Sequence, residues 1–126
     1  MMTAPVFVLL LDDHASLRRN LMALLEDEGF LVVEASSGEE ALQILHSTLV
    51  DVVIVDIRLP GMNGNEFIKS AHAVYPALHF LIHTGVADYA IPDELRRFGL
   101  TEECVFQKPL PDIHALFTCL RTLSGK

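Results

Sequence analysis

The sequence predicts an α/β fold, a doubly wound parallel five-stranded sheet covered by helices on both faces. Short continuous apolar runs alternate along the chain with stretches whose apolar residues recur at helical spacing. Such alternation requires parallel pairing through right-handed crossovers. The 126 residues suit one domain with a substantial core, since domains commonly run about 100–150 residues. A single domain over 1–126 is therefore expected.

Val6 to Leu11 is too short for a helix and reads as a fully buried strand. Leu17, Leu21, Leu24 and Leu25 follow at helical spacing with Gly29 as the stop; these leucines are expected in the core, and Arg18 and Arg19 on a solvated face. Leu31 to Ala35 is the second strand. Ser36 with Glu39 suggests a capping box for a helix carrying Ala41, Ile44 and Leu45. Val52 to Val55 is the third strand.

After the turn-rich PGMNG, where Gly61 and Gly64 fit turn geometry, Phe67, Ile68, Ala71 and Val74 share one face of a helix ended by Pro76. Leu78 to Ile82 is the fourth strand. The stretch GVADYAI is irregular, and Pro92, Asp93 and Glu94 open a short helix ending at Gly99. Cys104 to Phe106 supplies the fifth strand; Ile113, Leu116, Phe117 and Leu120 mark the last helix.

Composition narrows the function. Hydrophobic residues at 51% and charged residues at 21% describe a globular chain. Seventeen acids against nine bases give a net charge of −8, which argues against binding nucleic acid through its phosphates. Cys104 and Cys119 are too few and too far apart for a disulfide framework or zinc cluster, and read as buried thiols. No Lys or Arg precedes Arg18, and Asp12 and Asp13 close the first apolar run, unlike a secretion signal. No apolar stretch approaches the roughly 20 residues of a membrane helix. The expectation is a cytoplasmic protein with neither membrane nor nucleic-acid partner of its own.

Ligands of doubly wound sheets bind beyond the carboxyl ends of the strands. Those positions hold Asp12 and Asp13 after the first strand, Asp56 after the third, Thr84 and Gly85 after the fourth, and Lys108 with Pro109 after the fifth. Three crowded carboxylates either protonate or hold a cation, and Mg²⁺ typically takes one or two carboxylates, waters and phosphate oxygens. A metal, a hydroxyl and an ammonium around a carboxylate suit phosphoryl transfer, where positioning and charge neutralisation dominate. Asp56, between a strand and a turn, is the best candidate for a carboxylate nucleophile.

With these residues in view, LLLDDH, VVIVDIRLPGMNG, HTG and QKP resemble the signature segments of the receiver domain of bacterial two-component response regulators, across the whole chain. The resemblance implies the flavodoxin-like three-layer (βα)5 fold with strand order 2-1-3-4-5. It implies that Asp56 accepts a phosphoryl group from a histidine kinase or histidine phosphotransfer protein, and that the domain then switches conformation. Asp13, Asp56 and the backbone carbonyl of Arg58 would bind Mg²⁺, with Asp12 acting mainly through water. Lys108, the Thr84 hydroxyl and the amides of Arg58 and Gly85 would contact the phosphoryl oxygens. The peptide bond before Pro109 would be cis. Any catalysis would be limited to self-phosphorylation and slow self-dephosphorylation.

The chain departs from the family in two places. An aromatic residue often stands three positions before the lysine; here it is Val105, and Phe106 on the alternate strand face is not an obvious substitute. Pro92 lies in what would be the fourth helix, so the signalling surface there is expected to be reshaped. Among the histidines, His14 reads as a surface helix terminus and His83 as a structural residue pointing away from the pocket. None of the six is assigned a site role.

Two other functions fit less well. A Mg²⁺-dependent phosphohydrolase of the haloacid dehalogenase type needs a second Asp where this chain has Arg58. A receiver-shaped interaction module not controlled by phosphorylation would fit Val105 but leave the acidic set unexplained.

Overall fold

The five apolar runs become five strands in a computed structural model that describes residues 4–126; residues 1–3 of the expected 1–126 domain lie outside the described residues. The elements in chain order are β1 (Phe7–Leu11), α1 (Ala15–Asp27), β2 (Leu31–Ala35), α2 (Gly38–Ser47), β3 (Val52–Val55), α3 (Gly64–Val74), β4 (His79–Thr84), α4 (Asp93–Arg96), a 3₁₀ turn (Glu102–Cys104), β5 (Val105–Gln107) and α5 (Ile113–Ser124). The sheet order is β2-β1-β3-β4-β5 and every pair is parallel, as the sequence and its resemblance predict.

Strand periodicity divides the core into two layers. Leu9, Leu11, Val53, Val55, Phe80 and Ile82 face Ala41 and Leu45 of α2, Phe67, Ile68 and Ala71 of α3, and Leu95 of α4. The alternate residues Val8, Leu10, Val52, Ile54 and Leu81 meet Leu21 and Leu25 of α1 and Leu116, Phe117 and Leu120 of α5. Because both faces are covered, β3 is buried throughout and β1 nearly so, which is why their sequences read as unbroken apolar runs.

Several boundaries move. Val6 precedes β1 yet still packs in the α1–α5 layer. β4 extends through His83 to Thr84, so the hydroxyl residue ends the strand instead of following it. β5 begins at Val105, since Cys104 closes the 3₁₀ turn. The α2 cap lies one residue later than Ser36: Ser37 is the N-cap and accepts from the Glu40 amide at 3.1 Å, while Glu40 Oε1 accepts from the Ser36 amide. Glu39 is thereby free to accept from the Met62 amide, tying α2 to the loop after β3. The full capping box belongs to α3, between Asn63 and Glu66.

The expected solvated face of α1 is corrected at Arg18, which is buried, whereas Leu17 and Leu24 are exposed. Arg18, Leu21 and Leu25 form the inner i, i+3, i+7 stripe, and Leu17 and Leu24 lie beside it. Val74, at the end of α3, is likewise exposed. Cys104 is buried but Cys119 only partly so. Among the described residues, no helix is long and apolar enough to cross a membrane.

Candidate functional site

Parallel strand geometry brings the acids together. The ladder runs one bond past the strand ends: the Asp12 amide donates to the Ala35 carbonyl at 3.1 Å, and the Asp56 amide to the Leu11 carbonyl at 3.0 Å. Asp12 and Asp56 thus leave β1 and β3 side by side, each only 4% exposed. The same extension links β5 to β4, the Lys108 amide donating to the Thr84 carbonyl at 2.8 Å. The Lys108–Pro109 peptide is cis, as the resemblance implies.

Lys108 fills the space between the two acids. Its Nζ donates to Asp12 Oδ2 at 2.8 Å and to Asp56 Oδ2 at 3.1 Å. The remaining oxygens accept backbone amides: Asp12 Oδ1 from His14 at 2.8 Å and Asp56 Oδ1 from Arg58 at 3.3 Å. Burial raises the Asp56 pKa above the usual carboxylate value; the charge and hydrogen bond of Lys108 oppose that rise, and the charge of Asp12 adds to it. Burial pulls the Lys108 pKa down, but hydrogen bonding and charge from Asp12 and Asp56 outweigh it and leave the ammonium above its ordinary value.

Asp13 stands at the exposed rim, with His14 Nδ1 3.4 Å from its Oδ1 and 3.6 Å from Asp12 Oδ1. One donor atom from each of Asp12, Asp13, His14 and Asp56 falls within 4.8 Å of the others. Carboxylate oxygens dominate this set, which fits a hard divalent cation such as Mg²⁺ better than a softer metal. His14, expected only as a helix terminus, is both the α1 N-cap residue and a neighbour of the acids.

The other expected residues border the pocket. The Arg58 side chain is exposed and its amide faces Asp56. Gly85 is exposed after β4, where a Cβ would meet nothing within 4 Å, so the position does not demand glycine for space. Thr84 is fully buried, and its hydroxyl oxygen accepts from the Val86 amide at 3.0 Å. Asp12, Asp56 and Lys108 are therefore in direct contact, Asp13 is adjacent, and Thr84 is linked to Lys108 through the backbone.

Three supporting residues escape the sequence reading. Arg18 Nη1 donates to the Asp12 carbonyl and Nε to Glu34 Oε1, both at 2.6 Å; its place in the inner stripe of α1 was the available signal. Gly64 lies against the backbone beneath Asp56: a Cβ would sit 2.8 Å from Ile57 Cα and closer still to the Asp56 carbonyl oxygen, a close approach that the turn motif does not reveal. Tyr89, in the irregular stretch, donates to Asn65 Oδ1 at 2.6 Å, and burial pushes its pKa up to about 12. Val105 packs on the α2–α4 layer and Phe106 on the α1–α5 layer, so Phe106 faces the other side of the sheet.

Fold and pocket together define a flavodoxin-like α/β domain with an acidic strand-end site closed by a lysine. The chain matches the response regulator receiver domain over residues 8–117 and belongs to that family. It is 35% identical over 119 residues to the transcriptional regulatory protein GlrR of Escherichia coli strain K12, covering 92% of this chain and 26% of that protein. It thus spans about a quarter of that relative's length. A receiver domain structure from Clostridium thermocellum superposes with a TM-score of 0.84 at 26% identity, covering 95% of this chain and 94% of the other. The chemotaxis protein CheY4 of Vibrio cholerae superposes with a TM-score of 0.80 at 29% identity, covering 95% and 99% respectively. The protein is a receiver domain homologous to two-component regulators, a family phosphorylated by histidine kinases and binding Mg²⁺ at an acidic pocket.

Proposed function

We propose that Asp56 is the phosphoacceptor, receiving its phosphoryl group from a histidine kinase or histidine phosphotransfer protein. The observation that carries this reading is the Lys108 ammonium held between Asp12 and Asp56 at the sheet's carboxyl edge. An Asp56 carboxylate oxygen attacks phosphorus, an O–P bond forms and the donor's N–P bond breaks, with the electron pair leaving on the donor imidazole. Lys108 contacts the transferred phosphoryl oxygens and exchanges one carboxylate partner for a more highly charged group.

The amides of Arg58 and Gly85 and the Thr84 hydroxyl supply the other contacts. Thr84 is buried, so its engagement requires movement at the end of β4, and that movement is the start of the conformational switch. Asp13, Asp56 and the Arg58 carbonyl would hold Mg²⁺ directly, and Asp12 mainly through water. Bound there, the ion supplies charge neutralisation for the acids and the phosphoryl oxygens. Dephosphorylation is slow self-hydrolysis. The domain is one cytoplasmic unit over 1–126.

Incubation with Mg²⁺ and acetyl phosphate, followed by intact mass, tests the reading. Acetyl phosphate replaces the imidazole donor by an acyl phosphate whose O–P bond breaks. The wild type is expected to gain one phosphoryl group and Asp56→Asn none. A folded wild type with no gain would favour an interaction module independent of phosphorylation, the reading to which Val105 lends support; equal gain in Asp56→Asn would move the acceptor elsewhere.

A further inference from the structure

The fold sets the chain's two cysteines, remote in sequence, on neighbouring segments. Cys104 closes the 3₁₀ turn before β5, and Cys119 lies inside α5. Cys119 Sγ donates to the carbonyl of Glu103, the residue preceding Cys104, at 3.8 Å. Thr101 Oγ1 lies 3.9 Å from Cys104 Sγ on the same turn. Cys104 is buried, and Cys119 is partly exposed. Neither belongs to the acidic pocket.

We propose that Cys104 and Cys119 form an oxidation site at which a hydroperoxide produces an intramolecular disulfide. The neighbouring Cys119 thiol is the main influence on the Cys104 thiol and draws it below its ordinary value against the effect of burial, whereas Cys104 and burial push Cys119 up. Cys104 is thus the thiol that ionises more readily and Cys119 the one that keeps its proton, the forms a two-step oxidation needs. Hydrogen peroxide is small enough to enter beside the half-exposed Cys119.

In the first step the Cys104 thiolate attacks one peroxide oxygen. An S–O bond forms, the O–O bond breaks, and the leaving hydroxide takes a proton to give water and Cys104 sulfenic acid. In the second, Cys119 sulfur attacks Cys104 sulfur. An S–S bond forms, the S–O bond breaks, and the departing hydroxide leaves as water with the Cys119 proton. Two thiols and one peroxide become one disulfide and two waters. The bridge ties α5 to the turn entering β5, the strand that leads to Lys108. The proposal is independent of the phosphoacceptor reading.

The test treats the wild-type chain with hydrogen peroxide at neutral pH and measures non-reduced intact mass. The expected product is a monomer lighter by about 2 Da, restored by dithiothreitol, with the bridge mapped to Cys104–Cys119. Cys119→Ser should instead leave a Cys104 sulfenic acid that dimedone traps, and Cys104→Ser should oxidise far more slowly. A wild type that gains oxygen without losing hydrogen, or that links only between molecules, overturns the proposal.

Discussion

The buried guanidinium of Arg18 holds the backbone of Asp12 in place, Nη1 reaching the Asp12 carbonyl at 2.6 Å while Nε is anchored on Glu34 Oε1. One helix side chain thereby fixes the loop leaving β1 against β2. Arg18→Met keeps the apolar stem but strips two hydrogen bonds, leaving the Asp12 carbonyl and Glu34 without their donor. Glu34 is partly exposed, so solvent recovers part of the loss. Urea unfolding is expected to show about 1–3 kcal/mol of destabilisation with an unchanged slope, and Mg²⁺ binding should weaken. A change below roughly 0.5 kcal/mol would show that Arg18 merely covers the core.

Gly64 predicts a second dependence. Its amide donates to the Ile57 carbonyl at 2.9 Å, and its α-carbon faces the backbone at Asp56 and Ile57 too closely for a methyl group. The obstructing atoms are backbone, which yields at higher cost than a flexible side chain. Gly64→Ala should cost about 1–3 kcal/mol by overpacking despite its better helix propensity, and should slow phosphoryl uptake from acetyl phosphate. Enhanced stability with unaltered uptake would refute the close-approach account.

The sheet was legible because buried parallel strands leave unbroken apolar runs and their sequential order constrains the pairing. Asp12, Asp56 and Lys108 were legible for the same reason, since strand ends converge on one edge. Arg18 was misplaced because charge suggests solvent, although its spacing with Leu21 and Leu25 already put it on the inner stripe. The Ser37 cap was shifted by one because Ser36 and Ser37 are each followed three residues later by a Glu. Gly64 and the Cys104–Cys119 proximity involve tertiary approach, for which local pattern has no signal.

Mg²⁺ should stabilise the fold. A ligand that binds only the native chain adds about 1.4 kcal/mol at ten times its dissociation constant. Thermal unfolding of the wild type is expected to shift upward with added Mg²⁺, beyond any effect of NaCl at equal ionic strength. Asp13→Asn, which removes a rim carboxylate with little buried structure at stake, should reduce that shift. An undiminished shift in the variant would place the ion's principal contacts elsewhere.

His83 makes stability depend on pH. Burial, followed by the charge of Lys108, lowers its pKa to about 4, with Asp12 opposing; Nε2 has no hydrogen-bond partner among the described residues. Above the unfolded value of 6.5, both states carry the neutral ring and the group contributes no pH dependence. As pH falls from 6.5 toward about 4, the unfolded chain takes up a proton that the folded chain refuses, so stability declines, by at most about 1.4 kcal/mol per pH unit from this group. Below that window both states are protonated and the contribution levels off. His83→Gln keeps a neutral polar side chain and removes the titration. Chemical denaturation from pH 7 to 4 should therefore show a steeper loss in the wild type than in His83→Gln, and parallel curves would mean that the folded chain protonates His83 as readily as the unfolded one.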